Sequence, residues 1–511
     1  MGKKKEEQGL ETFLKSEFLN EIKNETPKGS ELLEKYPLKA PFSYANIIQD
    51  HESGSISYQV DETRLNQSEQ VIYNQLYQLI EENIESPENI ESNFGFLSFV
   101  NKVIKENEKM FQEQPLASIE KVKYYLERDI DGFGNIDPIM QDPNIEDVSC
   151  SGINAPIYVW HRKYDSIPAN VSFEKDQLNS FVSRIVFRAG KHISSAYPIS
   201  DLALQGNHRI SVLYQKEVTP KGTSFTIRKF KQDPYSIIDL ISFGTISVDV
   251  AAYLWMLMEA KMSIMVIGST GSGKTTILNA ITGLIDPDFK IFSVEDVSEI
   301  NIKHENWFSL VSRTGFGNSG EGEIGLYDLI KSGVRHRPDY IVVGEIRGSE
   351  AYVMFQAMAT GHGGLCTMHA DSLESASKRL QQKPMDIPAS YMALMNCSIV
   401  IRRVKGQDGK STRRAVSVQE IKAADSYHTA FKWEPKSDYF IPDLENSELV
   451  NRISEQTGKT HDEILEEYER RIIVLKSLTQ KGIRRYDKVA DAIGKYYRDP
   501  QAAITKIENG L

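Results

Sequence analysis

An α/β fold organised on a mostly parallel sheet is predicted by three observations. Between about residues 237 and 424, short apolar runs at 263–267, 290–294, 340–343, 364–368 and 398–401 alternate with helix-compatible stretches, the rhythm of a sheet covered by helices. The first of these runs leads straight into a glycine-rich turn and a helix-compatible segment. Two later runs, 290–294 and 340–343, are followed by the carboxylates Glu295 and Glu345. Ligands of such sheets bind beyond the carboxyl ends of the strands, where all three features fall.

The glycine-rich turn is Gly268-Ser269-Thr270-Gly271-Ser272-Gly273-Lys274-Thr275-Thr276. Strand, turn and helix start together point successive backbone N–H groups at an anion, and the helix dipole adds positive potential at the same place. Gly268 and Gly273 permit the tight backbone path. Lys274 reaches the β- and γ-phosphates as a point charge, and the Thr275 hydroxyl is placed to ligate Mg²⁺. The segment reads as a nucleoside triphosphate site.

The 511 residues are enough for two to four domains, each with its own core. Residues 1–112 mix charged clusters with helical periodicity and read as a mostly helical, partly disordered region whose first forty residues are loosely held. Residues 113–232 read as a smaller α/β domain with strands at 157–160, 209–214 and 225–228. The polar, proline-containing stretch at 231–236 reads as a hinge. The domain that carries the glycine-rich turn spans 237–424, and 425–511 read as a helical C-terminal region.

Composition narrows the function classes. The three cysteines, Cys150, Cys366 and Cys397, are far apart, which fits a reducing compartment and excludes a Cys-x-x-Cys metal site. No apolar run approaches the eighteen or so residues of a spanning helix, and the basic N-terminus lacks the apolar segment of a secretory signal. A cytoplasmic protein is expected. The net charge of −11 argues against a general nucleic-acid coat.

Hydrolysis needs acidic groups that organise Mg²⁺ and the attacking water. Glu345, at the end of an apolar strand, has that position. Glu295, with Asp296 and Glu299 behind it, ends a second strand. His362 and His369 bracket a third.

This order of glycine loop, Glu-Asp strand end, Gly-Glu strand end and paired histidines resembles the secretion-type ATPases of type II secretion, type IV pili and the archaellum. Their corresponding elements are the Walker A loop, the Asp box, the Walker B segment and the His box. The resemblance extends over about residues 115–424, through Gly132-Phe133-Gly134-Asn135-Ile136-Asp137-Pro138, Arg209-Ile210-Ser211-Val212-Leu213 and Thr223-Ser224-Phe225-Thr226-Ile227-Arg228. It implies a RecA-like ATPase domain preceded by a smaller α/β domain across the hinge, with ATP and Mg²⁺ as cofactors.

Carried over by position, the loop from Gly268 to Thr276 would hold the triphosphate. Thr275 and Glu345 would hold the metal ion, and Glu345 and Glu295 would share activation of water. His362 and His369 would lie near the γ-phosphate or the domain interface. Arg209 and Arg228 match arginines that the family's N-terminal domain swings toward the phosphates, a task suited to a fixed, permanently charged fork. The roles of Arg335, Arg337 and Arg347 stay open.

The scattered cysteines rule out the tetracysteine module common in bacterial members. The tail around Lys481-Gly482-Ile483-Arg484-Arg485-Tyr486 and the segment Gly361-His362-Gly363-Gly364 resemble the archaeal pilus or archaellum branch. The resemblance further implies a homo-hexamer, a polytopic membrane platform and, indirectly, pilin-like subunits as partners, with the protein held at the inner face of the cell membrane. No specific nucleic acid is expected. Two rival readings are a DNA-translocating ring of conjugation type, which would need a basic channel lining, and a nucleotide-gated scaffold with little hydrolysis, against which the acidic strand ends argue.

Overall fold

The computed structural model describes residues 13–14, 17–18, 27–83, 95–230, 233–313, 322–406 and 411–509. The chain divides into two units, Met1–Lys231 and Gln232–Leu511. Much of the segment read as loosely held at the N-terminus, and Lys231 and Gln232 of the hinge, lie outside the described residues.

The first unit opens with three strands, β1 (Ser30–Lys39), β2 (Ser43–Asp50) and β3 (Ile56–Glu62), followed by the helices α1 (Gln67–Asn83), α2 (Gly95–Glu106) and α3 (Leu116–Leu126). The N-terminal region is therefore mixed rather than mostly helical. Charged residues and Pro37 hide the strand pattern of β1, which sits at a sheet edge, where a missing N–H is tolerated. Next come β4 (Ile145–Cys150), β5 (Pro156–His161), β6 (Asp165–Ser172), α4 (Lys175–Arg188), β7 (Ile199–Ala203), β8 (Arg209–Leu213) and β9 (Ser224–Arg228). One nine-stranded sheet results, in the order β1-β2-β3-β6-β5-β4-β9-β8-β7. Buried Asp142 ties the added strands to it, accepting hydrogen bonds from Tyr36 at 2.7 Å and Tyr58 at 2.8 Å.

The second unit contains α5 (Ile237–Ser242), α6 (Val248–Glu259), β10 (Ile264–Gly268), α7 (Lys274–Thr282), β11 (Ile291–Glu295), β12 (Trp307–Val311), α8 (Leu326–Val334), β13 (Tyr340–Val343), α9 (Glu350–Ala359), β14 (Gly363–Met368), α10 (Leu373–Gln381) and β15 (Cys397–Lys405). Its sheet runs β12-β11-β13-β14-β10-β15-β16-β17-β18, and every pair from β12 to β15 is parallel. Successive residues of β10 feed opposite faces: Ile264 and Val266 join one core, Met265 and Ile267 the other. That two-sided burial is why these strands read as continuous apolar runs. The architecture is that of a RecA-like domain with an α/β domain before it and helices at the C-terminus.

Beyond β15 the sheet turns antiparallel through β16 (Ser411–Ala423), β17 (Ser426–Glu434) and β18 (Tyr439–Pro442). The helical C-terminal region therefore begins later than residue 425. Tyr427, Thr429, Phe431 and Trp433 alternate along β17 with the period of a strand. Helices α11 (Glu448–Thr457), α12 (His461–Gln480), α13 (Tyr486–Arg498) and α14 (Pro500–Asn509) follow. A capping box of Thr460 and Glu463 starts α12.

These helices pack on the ATPase-like core. Arg471 is buried, forms ion pairs with Glu259 and Glu467, and lies 5.0 Å from the Trp255 ring centroid. Tyr486 and Thr282 share a hydrogen bond at 3.1 Å, and Tyr497 donates to the Leu284 carbonyl at 2.8 Å, so α13 closes the far end of α7. Among the described residues no helix is long and apolar enough to cross a membrane. All three cysteines are buried.

Candidate functional site

Parallel pairing brings the chemistry to one edge. The glycine loop follows β10, Glu295 ends β11, Glu345 lies two residues past β13, and His369 follows β14 directly. All four strands run the same way in adjoining positions, so these side chains gather beyond their carboxyl ends.

The loop's glycines are required by its path. Gly273 has φ +99° and caps α7 in the left-handed region, which favours glycine. A Cβ on Gly268 would stand 2.5 Å from the Ser272 Oγ and 2.6 Å from the Ile401 backbone oxygen. Ser272 is buried and donates its hydroxyl to the Ser269 carbonyl at 2.8 Å, while Ser269, Thr270 and Gly271 are exposed. Thr275 and Thr276 are half-buried in the first turn of α7. The result is a cradle of backbone N–H groups at a helix start, the form of an anion site.

Lys274 is buried; its Nζ donates to the Ser269 carbonyl at 3.0 Å and lies 3.3 Å from both ring nitrogens of His369. On its other side, His369 Nε2 is 3.4 Å from the Glu345 carboxylate. Burial and the Lys274 charge hold the His369 pKa below the ordinary imidazole value. The ring is therefore neutral at pH 7 and relays polar contact between a cation and a carboxylate.

Glu295 differs from Glu345. It is buried, and its Oε1 accepts from the backbone N–H of Glu299 at 2.9 Å and of Ile300 at 2.8 Å. Burial dominates these bonds and raises its pKa to about 8. Its Oε2 is buried with no hydrogen-bond partner. An orphaned buried oxygen of this kind fits a water or a hard cation.

Glu299, which the sequence reading placed only behind Glu295, accepts the Thr275 hydroxyl at 3.1 Å. Its spacing of four from Glu295 was the available signal. Arg347 pairs with Asp296, linking the ends of β13 and β11, and Arg379 donates to the His369 carbonyl; neither contact was legible in sequence. The hydroxyl of Thr275 and these carboxylates form an all-oxygen donor set, suited to Mg²⁺ rather than to a soft metal. Among the described residues no cluster of three or more His, Cys, Asp or Glu forms a metal cage. Mg²⁺ commonly needs only one or two protein carboxylates beside phosphate oxygens, so the donors fit.

Of the two places expected for the histidines, the γ-phosphate or the domain interface, the first is open to His369 and, within this unit, not to His362. It precedes β14, at the opposite end of the strand from His369, and its Nδ1 lies 3.0 Å from the Ala357 carbonyl oxygen at the close of α9. A six-residue strand separates its ends by roughly 17 Å, which puts the ring out of reach of the loop in this unit.

In the first unit, Arg209 and Arg228 stand directly opposite each other on β8 and β9, and Asp147 pairs with Arg228 from β4. Ile210 and Ile227 beside them point into the core, so both guanidinium stems leave on the outer face.

Comparison with known proteins agrees with this arrangement. Residues 169–427, just over half of the chain, match the family model described as "Type II/IV secretion system protein". An uncharacterized protein of Methanocaldococcus jannaschii is 39% identical over 388 residues, covering 74% of this chain and 70% of its own. A second from that organism is 43% identical over 246 residues, covering 47% and 90%. The type IV secretion system protein PtlH of Bordetella pertussis is 26% identical over 311 residues, covering 53% and 90%. With its strand-end site and these matches together, the chain belongs to the type II/IV secretion system protein family.

Proposed function

We propose that this protein hydrolyses ATP and, as a homo-hexamer, drives assembly or secretion of pilin-like filament subunits through a polytopic membrane platform at the inner face of the cell membrane. The observation that carries the reading is the convergence of the Gly268-to-Thr276 loop, Glu345, Glu295 and His369 at one sheet edge. The relative from Bordetella pertussis, named for type IV secretion, supports the export direction. Likeness to proteins of Methanocaldococcus jannaschii supports the archaeal branch.

In this reading the loop amides and Lys274 bind the β- and γ-phosphates, and Glu345 orients water for in-line attack, helped by His369, which holds its carboxylate in place. Thr275 and Glu345 would hold Mg²⁺, which when bound neutralises phosphate charge. Glu295, raised in pKa, supplies a carboxyl that exchanges a proton near neutral pH. Arg209 and Arg228, like charges face to face, are suited to closing on phosphate oxygens and stabilising the charge that moves to the leaving group. Release of phosphate would then let the units part about the hinge, converting hydrolysis into rigid-body motion.

The test is ATP turnover together with mass in solution, with Mg²⁺, for the wild type and for Arg209→Ala combined with Arg228→Ala. Hydrolysis by a hexamer, lost in the double variant while ATP still binds, supports the motor. A fully active monomer in the double variant would refute both the ring and the arginine roles. Turnover dependent on added DNA would instead favour a conjugation-type translocase.

A further inference from the structure

The flank of the glycine loop away from Glu345 carries a second cation. In the sheet order β13-β14-β10-β15-β16, Glu345 and His369 follow the two strands on one side of β10, and Arg413 sits on β16 on the other. Strands β15 and β16 extend past the loop: Gly268 pairs with Ile401, and Arg403, two residues further on, pairs with Arg413. The Arg413 stem packs on the loop itself, since a Cβ added at Gly273 would meet its Cδ at 3.2 Å. Its Nε is 3.4 Å from the Gly271 carbonyl oxygen.

We infer that Arg413 binds the non-transferred end of the nucleotide, the α-phosphate and adjoining sugar of ATP and of the ADP product. The inference rests on the ATP reading above. Lys274 faces β14 through His369, so the reacting end of a triphosphate in the loop lies toward Glu345. A linear chain of phosphates that starts there must leave the loop on the β15–β16 flank, where Arg413 stands half-buried. An arginine suits this place because its planar fork grips two oxygens at once and stays charged. The 3.4 Å contact to Gly271 is long for a hydrogen bond and leaves the guanidinium head uncommitted to the loop backbone.

The assignment separates binding from chemistry. The full chain is assayed with ATP, ADP and inorganic pyrophosphate, the last having no nucleoside. Arg413→Gln should raise KM for ATP and Kd for ADP about tenfold while kcat stays within about threefold, and Arg413→Lys should recover part of the loss. Competition by pyrophosphate should change by less than about twofold, because its phosphates sit in the loop. An equal loss for pyrophosphate and ADP would mean that Arg413 merely braces the loop, and an unchanged ADP affinity would mean that it does not touch the ligand; either result overturns the inference. If the wild type binds neither ATP nor ADP, the ATP reading fails and this inference with it. A wild type that binds both, beside an Arg413→Gln variant that binds ADP equally well, sinks the Arg413 assignment alone.

Discussion

The Thr275 hydroxyl donates to the Glu299 carboxylate at 3.1 Å, tying the first turn of α7 to the segment after β11 across the breadth of β13 and β14. The loop that holds phosphate and the acidic strand end are thereby one mechanical piece. A double-mutant cycle in ATP turnover with Thr275→Val and Glu299→Gln should give a coupling energy of about 1.5–3 kcal/mol, the range of a hydrogen bond to a charged group. Strict additivity would show that the contact plays no part in turnover.

Lys274→Ala should lower turnover at least about 100-fold, since a preorganised charge aimed at the phosphates is lost. Glu345→Gln should keep ATP binding and lose turnover to a similar extent. Wild-type rates in Glu345→Gln would remove that carboxylate from the chemistry.

Gly268→Ala places a methyl 2.6 Å from the Ile401 backbone oxygen, which cannot move without displacing β15. Overpacking of this kind costs about 1–3 kcal/mol, and here it falls on the loop. Isothermal titration with ADP should show binding lost, while circular dichroism keeps the folded spectrum.

The Glu295 carboxyl has a pKa of about 8 in the folded chain against an ordinary value of about 4.3 in an unfolded one. Between these values the folded state holds a proton that the unfolded state has released, so this group's contribution to stability falls as pH rises from about 4 to about 8. Glu295→Gln should flatten that slope by an amount on the order of a few kcal/mol. Denaturant unfolding at several pH values, without Mg²⁺ or nucleotide, reads it directly, and parallel slopes in variant and wild type would contradict the assignment.

Arg471→Ala should destabilise the second unit by about 1–3 kcal/mol, because the buried guanidinium's pairs with Glu259 and Glu467 and its packing on Trp255 are lost, while half-buried Glu467 keeps Arg470 and the Tyr496 hydroxyl. Arg471→Met, which keeps most of the packing against Trp255, should cost less. Tryptophan fluorescence during urea unfolding reads both variants; a wild-type midpoint in Arg471→Met would show that the ion pairs contribute nothing.

The parallel core of the second unit was legible because β10, β13 and β14 are buried on both faces and therefore apolar throughout. Glycine spacing marked the loop, and Glu345 and His369 were visible as polar residues ending such runs. What escaped the sequence depends on alternation or on distance. Strand β1 is polar at an edge, β17 follows a proline-free turn, and the Thr275–Glu299 bond joins a helix start to a loop brought near it only by sheet order. His362 shows the converse: seven residues from His369 in sequence, it is a whole strand away in space.

The three buried thiols have a practical consequence for watching the protein work. Burial also pushes the Cys150 and Cys366 thiols up in pKa, so maleimide reagents near neutral pH find little thiolate to attack. Cysteines introduced at exposed Lys175 in the first unit and Lys378 in the second would carry a dye pair on an otherwise natural background. The distance between the two units could then be followed through a catalytic cycle without first stripping the chain of its own sulfur.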